Sequence, residues 1–411
     1  MYQRALAIML TLLSLFVRTA SNVCVNTDDG AFMLDRRLNP VTEAGTYDRA
    51  LRAEGTELYA LREQSTGLYL IADAAGQPLT RAVYEDVRGE NGRVFLKRDG
   101  LWAIYDSGLN PLTGHYYTAL FRAGESCFAF RTSLWDDAPD ALYIIDARGN
   151  ERPTDKVLLY TPLIFADGLA PATDATTGRR GYLDEEGEWM VAPELAWADA
   201  FNGALAVASL DVGSGLIDPA GDWILSPLYD EMMLGDNYVI CREEGTLYVY
   251  ARTDEGLIML ENREDAYASE VGAYYALYTD DYAYLCDMDG YEAAVFTGDT
   301  LIYPGLDGQV IASDMNGMYV YDVDSRRFSD FMAYIEALPR ADAYRCAALG
   351  DDGAYLFGAI DTGLSTVIAP AYAQMISPAE GLLAAGDGEN IYLFALNRDG
   401  AELVKTVPLN R

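Results

Sequence analysis

Short apolar runs of four to six residues, rich in Tyr, Val, Ile, Leu and Phe and bounded by turn residues, recur along the chain. Their length and their Gly, Pro, Asn and Asp borders predict strands, not helices. Two consecutive copies show the pattern most clearly: GYLDEEGEWMVAPELAWADAFNGALAVASL from Gly181 and GLIDPAGDWILSPLYDEMMLGDNYVICREE from Gly215. Each copy opens with an apolar run that ends in Asp and turns through an acidic, Gly-containing tetrad. A second apolar run leads to a Pro, and a third follows some twenty residues after the Asp.

Taking the end of the first run as a phase marker gives Asp35, Asp73, Asp106, Asp146, Asp184, Asp218, Arg252, Asp287, Asp322, Ala359 and Leu396. The spacings run from 33 to 40 residues around a period near 36, so residues 25–411 read as ten full units and a truncated eleventh. Such a period signals one supersecondary unit repeated in tandem. Other features keep the phase. A Gly precedes the first run at Gly30, Gly67, Gly100, Gly317 and Gly353, and a Tyr follows the marker at Tyr47, Tyr84, Tyr116, Tyr229 and Tyr372. Pro40, Pro78, Pro111, Pro153, Pro193 and Pro227 mark the middle run as an edge or a turn, because Pro cannot donate to a ladder.

A three- to four-stranded meander of this size cannot bury both faces, so neighbouring units must stack on it. The expected fold is all-β, a tandem array with propeller-like packing in one or two rings; an open superhelical β-solenoid is the alternative. Three stretches interrupt the phase. Trp135 to Asp140 reads as a polar insertion and Ala172 to Arg180 as a loop. Ser329 to Pro339 reads as a short helix with Ser329 as N-cap and Pro339 as the stop.

The two central copies resemble the bacterial WG-containing repeat. GYLD at Gly181, EEGE at Glu185, WMVAP at Trp189, FNGALAV at Phe201, GLID at Gly215, ILSPLYD at Ile224 and APAYA at Ala369 carry the likeness, which is specific over residues 178–230. The dipeptide that names the repeat is absent: Trp102-Ala103 comes nearest, while Arg180-Gly181 and Ser214-Gly215 keep the Gly alone. The resemblance implies an all-β repeat protein, usually exported or surface-associated, and brings no catalytic residues with it.

Charge and termini narrow the setting. With 64 acidic against 29 basic residues the formal charge is −35, which repels nucleic acid. After Arg4, the apolar segment from Ala5 to Val17 is too short to span a membrane and fits the core of a secretory signal over residues 1–21. An uncleaved anchor and lipidation at Cys24 are the alternatives. No second segment has spanning length. The five cysteines, Cys24, Cys127, Cys241, Cys286 and Cys346, show neither C-x-x-C nor metal-ligand spacing, and are expected as small core hydrophobes in a bacterial envelope protein.

The chemistry search finds little. The lone His115 allows a nucleophile–base pair in only one place, and it reads as a surface or edge residue. G-x-S-x-G, H-E-x-x-H and phosphate-loop motifs are absent. DMDG at Asp287 and DVD at Asp322 have calcium-type ligands but not the full loop spacing; their phase makes them ordinary turn carboxylates, with Ca2+ the weaker reading. No metal or cofactor is otherwise called for. Tyr47, Tyr84, Tyr116, Tyr229 and Tyr372 are the candidate ligand-binding residues, because aromatic faces take apolar and sugar surfaces; sheet packing is their competing role. The expected function is a secreted or cell-surface, non-enzymatic scaffold that binds a protein or peptide. The alternative is a carbohydrate-binding or carbohydrate-processing surface protein.

Overall fold

The computed structural model describes residues 21–28, 30–131, 141–159, 162–397 and 400–409. The apolar segment before Ser21 and the polar insertion from Trp135 to Asp140 lie outside them. The described residues form no helix, and therefore none long and apolar enough to cross a membrane. Strands build small antiparallel sheets in tandem, most of them four-stranded, with neighbours in sequence paired in order. Neighbouring sheets such as those of Tyr182 and Ala206, or of Tyr238 and Tyr275, share apolar cores in a propeller-like packing.

The sequence repeat and the sheet are out of phase. A repeat beginning at Gly181 gives Arg180–Asp184 and Trp189–Leu195 as the last two strands of one sheet, then Trp197–Ala198 and Ala206–Leu210 as the first two of the next. Each repeat therefore stitches two sheets together. Second and third strands are the buried ones, as in Tyr238–Glu243, whereas the fourth strand Trp223–Tyr229 alternates between half-buried and exposed, one face packed and one face open.

The marker aspartates build the turn that follows the repeat's first apolar strand, which in the four-stranded sheets lies between third and fourth strands. At Asp35, Asp73, Asp106, Asp146, Asp184, Asp218 and Asp287, Oδ1 accepts the backbone N–H groups two and four residues on, at 2.8–3.0 Å. The fourth residue of each turn is left-handed, a place taken by Gly149, Gly187 and Gly221 but also by Leu38 and Leu109. A short acceptor that can organise its own turn is what Asp supplies. Asp287 uses its carboxylate in this way, and at Asp322 the carboxylate accepts from Ser325 N–H and Gln309 Nε2.

The repeat's Gly and Pro meet across the third and fourth strands. A Cβ on Gly215 would lie 2.5 Å from the Leu225 carbonyl oxygen and 2.9 Å from the Pro227 Cα. Gly181 stands in the same relation to Val191 and Pro193, and Gly358 to Ile368 and Pro370. The strand register slips at each of these glycines, so the Pro-containing strand bulges directly over a position that has no side chain. At Leu70 and Ala103, which hold the site in two other units, the fourth strand shrinks to isolated bridges such as Ala72 to Pro78 and Tyr105 to Pro111, whereas Val249 and Tyr284 face full fourth strands, Gly256–Arg263 and Glu292–Thr297, that carry no Pro.

The chain divides into two compact units, residues 93–299 and residues 1–92 with 300–411. In the first, Tyr182 and Leu169 pack on Ala206, Ala208 and Ile217 of the next sheet, and Tyr238 and Val249 pack on Tyr275 and Leu277. In the second, the first sheet of the chain packs against the last: Val25, Phe32 and Leu34 share a core with Leu382, Ile391, Leu393 and Val407. Polar contacts reinforce that seam. Asp28 N–H donates to Gln374 Oε1 at 2.8 Å, and Lys405 Nζ donates to Asn39 Oδ1 at 2.9 Å.

The stretch from Ser329 to Pro339 is not a helix. Tyr334–Leu338 is a strand paired with Ala343–Ala347, and Ser329, buried, caps a strand by accepting the Val320 N–H at 3.0 Å and donating to the Asp330 carbonyl. The apolar spacing of FMAYIEAL fits a helix as well as a strand, and pairing with the following strand decides between them. The cysteines are free thiols, with Cys127, Cys241, Cys286 and Cys346 buried. Burial pushes the Cys241 thiol up to about 12 and Cys346 to about 11, consistent with their role as packing residues.

Two tests follow from these turns and crossings. Gly215→Ala forces a methyl onto the Leu225 carbonyl and is expected to lower unfolding free energy by about 1–3 kcal/mol in urea melts. The Asn110 side-chain amide holds Asp106 below the usual carboxylate range, and Asn150 does the same for Asp146. A depressed folded-state value stabilises above the unfolded value of about 3.9 and is lost as pH falls through the folded one. Asp106→Asn with Asp146→Asn, which keeps the acceptors without the titration, is therefore expected to show a shallower loss of stability below about pH 4 in acid denaturation followed by circular dichroism.

Candidate functional site

The tyrosines chosen from the sequence occupy a common structural place. Tyr47 pairs with Ala31, Tyr84 with Tyr69, Tyr229 with Ser214 and Tyr372 with Phe357, each at the far end of the fourth-strand segment against the start of the third strand. In the unit marked by Asp106 this place belongs to Tyr117, which pairs with Trp102. Tyr116 precedes it and stays half exposed, with the Arg131 guanidinium 4.7 Å from its ring centre. The rings mostly serve packing between sheets. Tyr229 lies edge-on to Tyr248 at 5.9 Å with its hydroxyl 3.2 Å from that of Tyr250, and Tyr372 lies 5.5 Å from Tyr392; Tyr84 is buried.

His115 is held structurally. Its Nδ1 lies 3.1 Å from the Leu101 carbonyl oxygen and its Nε2 lies 3.3 Å from the Tyr105 hydroxyl. Among the described residues no group of three or more His, Cys, Asp or Glu side chains is placed to hold a metal ion.

An exposed apolar row arises instead on the first strands of three consecutive sheets in the unit of residues 93–299. Trp197 pairs with Ser209, Met232 with Cys241 and Tyr267 with Tyr278, which are equivalent positions of the three sheets. Trp197 is 48% exposed and Tyr267 69%, and Met233, beside the half-buried Met232, is 45% exposed. First strands sit at the sheet edge, hydrogen-bonded on one side only, which is why large apolar side chains there stay in solvent.

Arginines from the preceding sheet fix two of these rings. Arg180 stands where the repeat has its naming Trp; its guanidinium lies 3.6 Å from the Trp197 ring centre, and Nη1 donates to the Ala198 carbonyl at 3.1 Å. Arg242 lies 4.7 Å from the Tyr267 ring centre and donates to the Ala266 carbonyl at 2.7 Å and the Gly245 carbonyl at 2.9 Å. Each cation thus ties one sheet to the backbone of the next while covering one face of an aromatic ring. The carboxylates nearby face solvent: Asp199, which accepts the Trp197 Nε1–H at 2.7 Å, Glu231, Glu264 and Asp265. The sequence signal for this row is present but faint. Trp197, Met232 and Tyr267 fall 13, 14 and 15 residues after Asp184, Asp218 and Arg252, inside stretches too short and polar to stand out as apolar runs.

Among solved structures, Kluyveromyces lactis Hsv2p is similar at 10% identity and a TM-score of 0.33, with 59% of this chain and 95% of that chain covered. Apo AztD from Citrobacter koseri is similar at 13% identity and a TM-score of 0.29, covering 67% of this chain and 91% of that one. PorZ of Porphyromonas gingivalis, described as a surface component of the type-IX secretion system, shows 10% identity and a TM-score of 0.24 over 92% of this chain and 71% of its own. No curated protein matches. The family model described as WG containing repeat matches residues 181–211 and 215–237, in the same phase as the glycine–proline crossings and aspartate turns. Those residues thus match the WG-containing repeat, the family that the GYLD and GLID segments resemble.

Proposed function

We propose that this is an exported, non-enzymatic scaffold that holds a protein or peptide partner on the first-strand row of Trp197, Met232 and Tyr267. The observation that carries the reading is the recurrence of large apolar side chains at one register position of three successive sheets, with Trp197 and Tyr267 in solvent and held by Arg180 and Arg242, and Met232 half-buried on the sheet between them. Rigid aromatic anchors beside polar groups are what protein interfaces concentrate. The apolar segment from Ala5 to Val17 supports export, and the charge of −35 sets nucleic acid aside.

The same details favour a peptide over a glycan. A sugar ring stacks on an open aromatic face and takes hydrogen bonds from its edge. One face of Trp197 is covered by Arg180, and its Nε1–H is already given to Asp199.

Immobilised protein, exposed to solubilised envelope from the source cell, is expected to recover a partner that the folded Trp197→Ala/Tyr267→Ala variant loses by about tenfold or more. Recovery of nothing, or equal recovery by the variant, sinks the reading. Saturable binding to one sugar on a glycan array would replace it with the carbohydrate alternative.

A further inference from the structure

Arg180 and Arg242 spend their charge on backbone carbonyls and rings, whereas the carboxylates beside the row stand exposed to solvent, and that asymmetry specifies the partner. Arg180 gives its charge to the Ala198 carbonyl and the Trp197 ring, while Arg242 gives its own to two carbonyls and the Tyr267 ring, with Glu231 at 3.9 Å. Asp199, Glu231, Glu264 and Asp265 flank the same three first strands with their carboxylates in solvent; the Glu231 side chain is 78% exposed beside its long ion pair. What a partner meets is therefore an apolar body with an anionic rim.

We propose that the row binds an extended peptide segment in which lysine or arginine is interspersed with large apolar side chains. The inference rests on the proposed binding role and adds the chemistry of the occupant. Apolar side chains of the segment cover Trp197, Met232 and Tyr267, and its cations face Asp199 and Glu231. Complementary charge of this kind selects the partner and speeds encounter, while the buried apolar anchors hold it. The length follows from the sheets. Stacked sheets lie about 10 Å apart, so three first strands extend over roughly 20 Å, a distance that about six or seven extended residues bridge at about 3.3 Å each.

The experiment uses the full chain and three synthetic peptides of about twelve residues, long enough to bridge the row. They combine Lys with Leu, Glu with Leu, and Lys with Ser, and binding is read by calorimetry at low and high salt. The Lys/Leu peptide is expected to bind, to weaken severalfold as salt rises, and to outcompete both others by about tenfold or more. Trp197→Ala/Tyr267→Ala should weaken it about tenfold and Asp199→Asn/Glu231→Gln about fivefold. Asp254→Asn/Glu255→Gln removes the same charge at a turn between third and fourth strands and should leave binding unchanged. Circular dichroism shows that each variant folds. Equal loss in the Asp254/Glu255 variant, equal binding of the Lys/Ser peptide, or preference for the Glu/Leu peptide would overturn the proposal. If the envelope partner is still lost with Trp197→Ala/Tyr267→Ala while the peptides show no charge preference, the binding role stands and only the occupant's chemistry falls.

Discussion

The sheets that carry the repeat's Gly and Pro turn on one close approach. The fourth strand carries a Pro, which has no N–H for the ladder, and it bulges across the third strand where Gly181, Gly215 or Gly358 leaves room for it. Any side chain there would meet a carbonyl oxygen or the Pro backbone. The aspartate turn just beyond delivers the chain to that crossing with its own N–H groups already bonded, so the turn and the crossing act together. Sheets that keep both have a full outer strand, and at Leu70 and Ala103, where the Gly is lost but the Pro kept, the turn remains while the outer segment holds by bridges.

A second consequence concerns how the sheets are joined. Because a sequence repeat ends one sheet and begins the next, no sheet closes on itself in the chain, and cohesion depends on what crosses between neighbours. Apolar clusters such as Tyr182 with Phe201 do most of this. Polar bonds from buried groups add direction: the Tyr182 hydroxyl donates to the Asp199 carbonyl, the Tyr238 hydroxyl to the Ala273 carbonyl, and Arg345 Nη1 to the Met375 carbonyl. Most buried polar groups take a partner, and for these three the acceptor is the backbone of the adjoining sheet.

Periodicity made the strands and the turns legible, since alternation and Asp–Gly punctuation are local properties of the chain. What escaped it was anything decided between strands. Ser329 to Pro339 has the apolar spacing of a helix, yet its pairing with Ala343–Ala347 makes it a strand. Tyr116 and Tyr117 are adjacent, and only the partner Trp102 tells which one keeps the repeat's place. The row of Trp197, Met232 and Tyr267 sits in stretches with no apolar run of their own; they become a row only because three sheets stack with those residues at one register. Arg180 is likewise silent in sequence, since its role depends on a ring contributed by the following sheet.

The seam between the chain's first and last sheets carries a temporal meaning. Residues 93–299 form their unit from one uninterrupted stretch, whereas Val25, Phe32 and Leu34 await Leu382, Leu393 and Val407 for cover. In a polypeptide that is synthesised from its amino end, Val25, Phe32 and Leu34 thus emerge long before the strands that shield them from water, and they spend the interval open to misassembly or to a chaperone's grip.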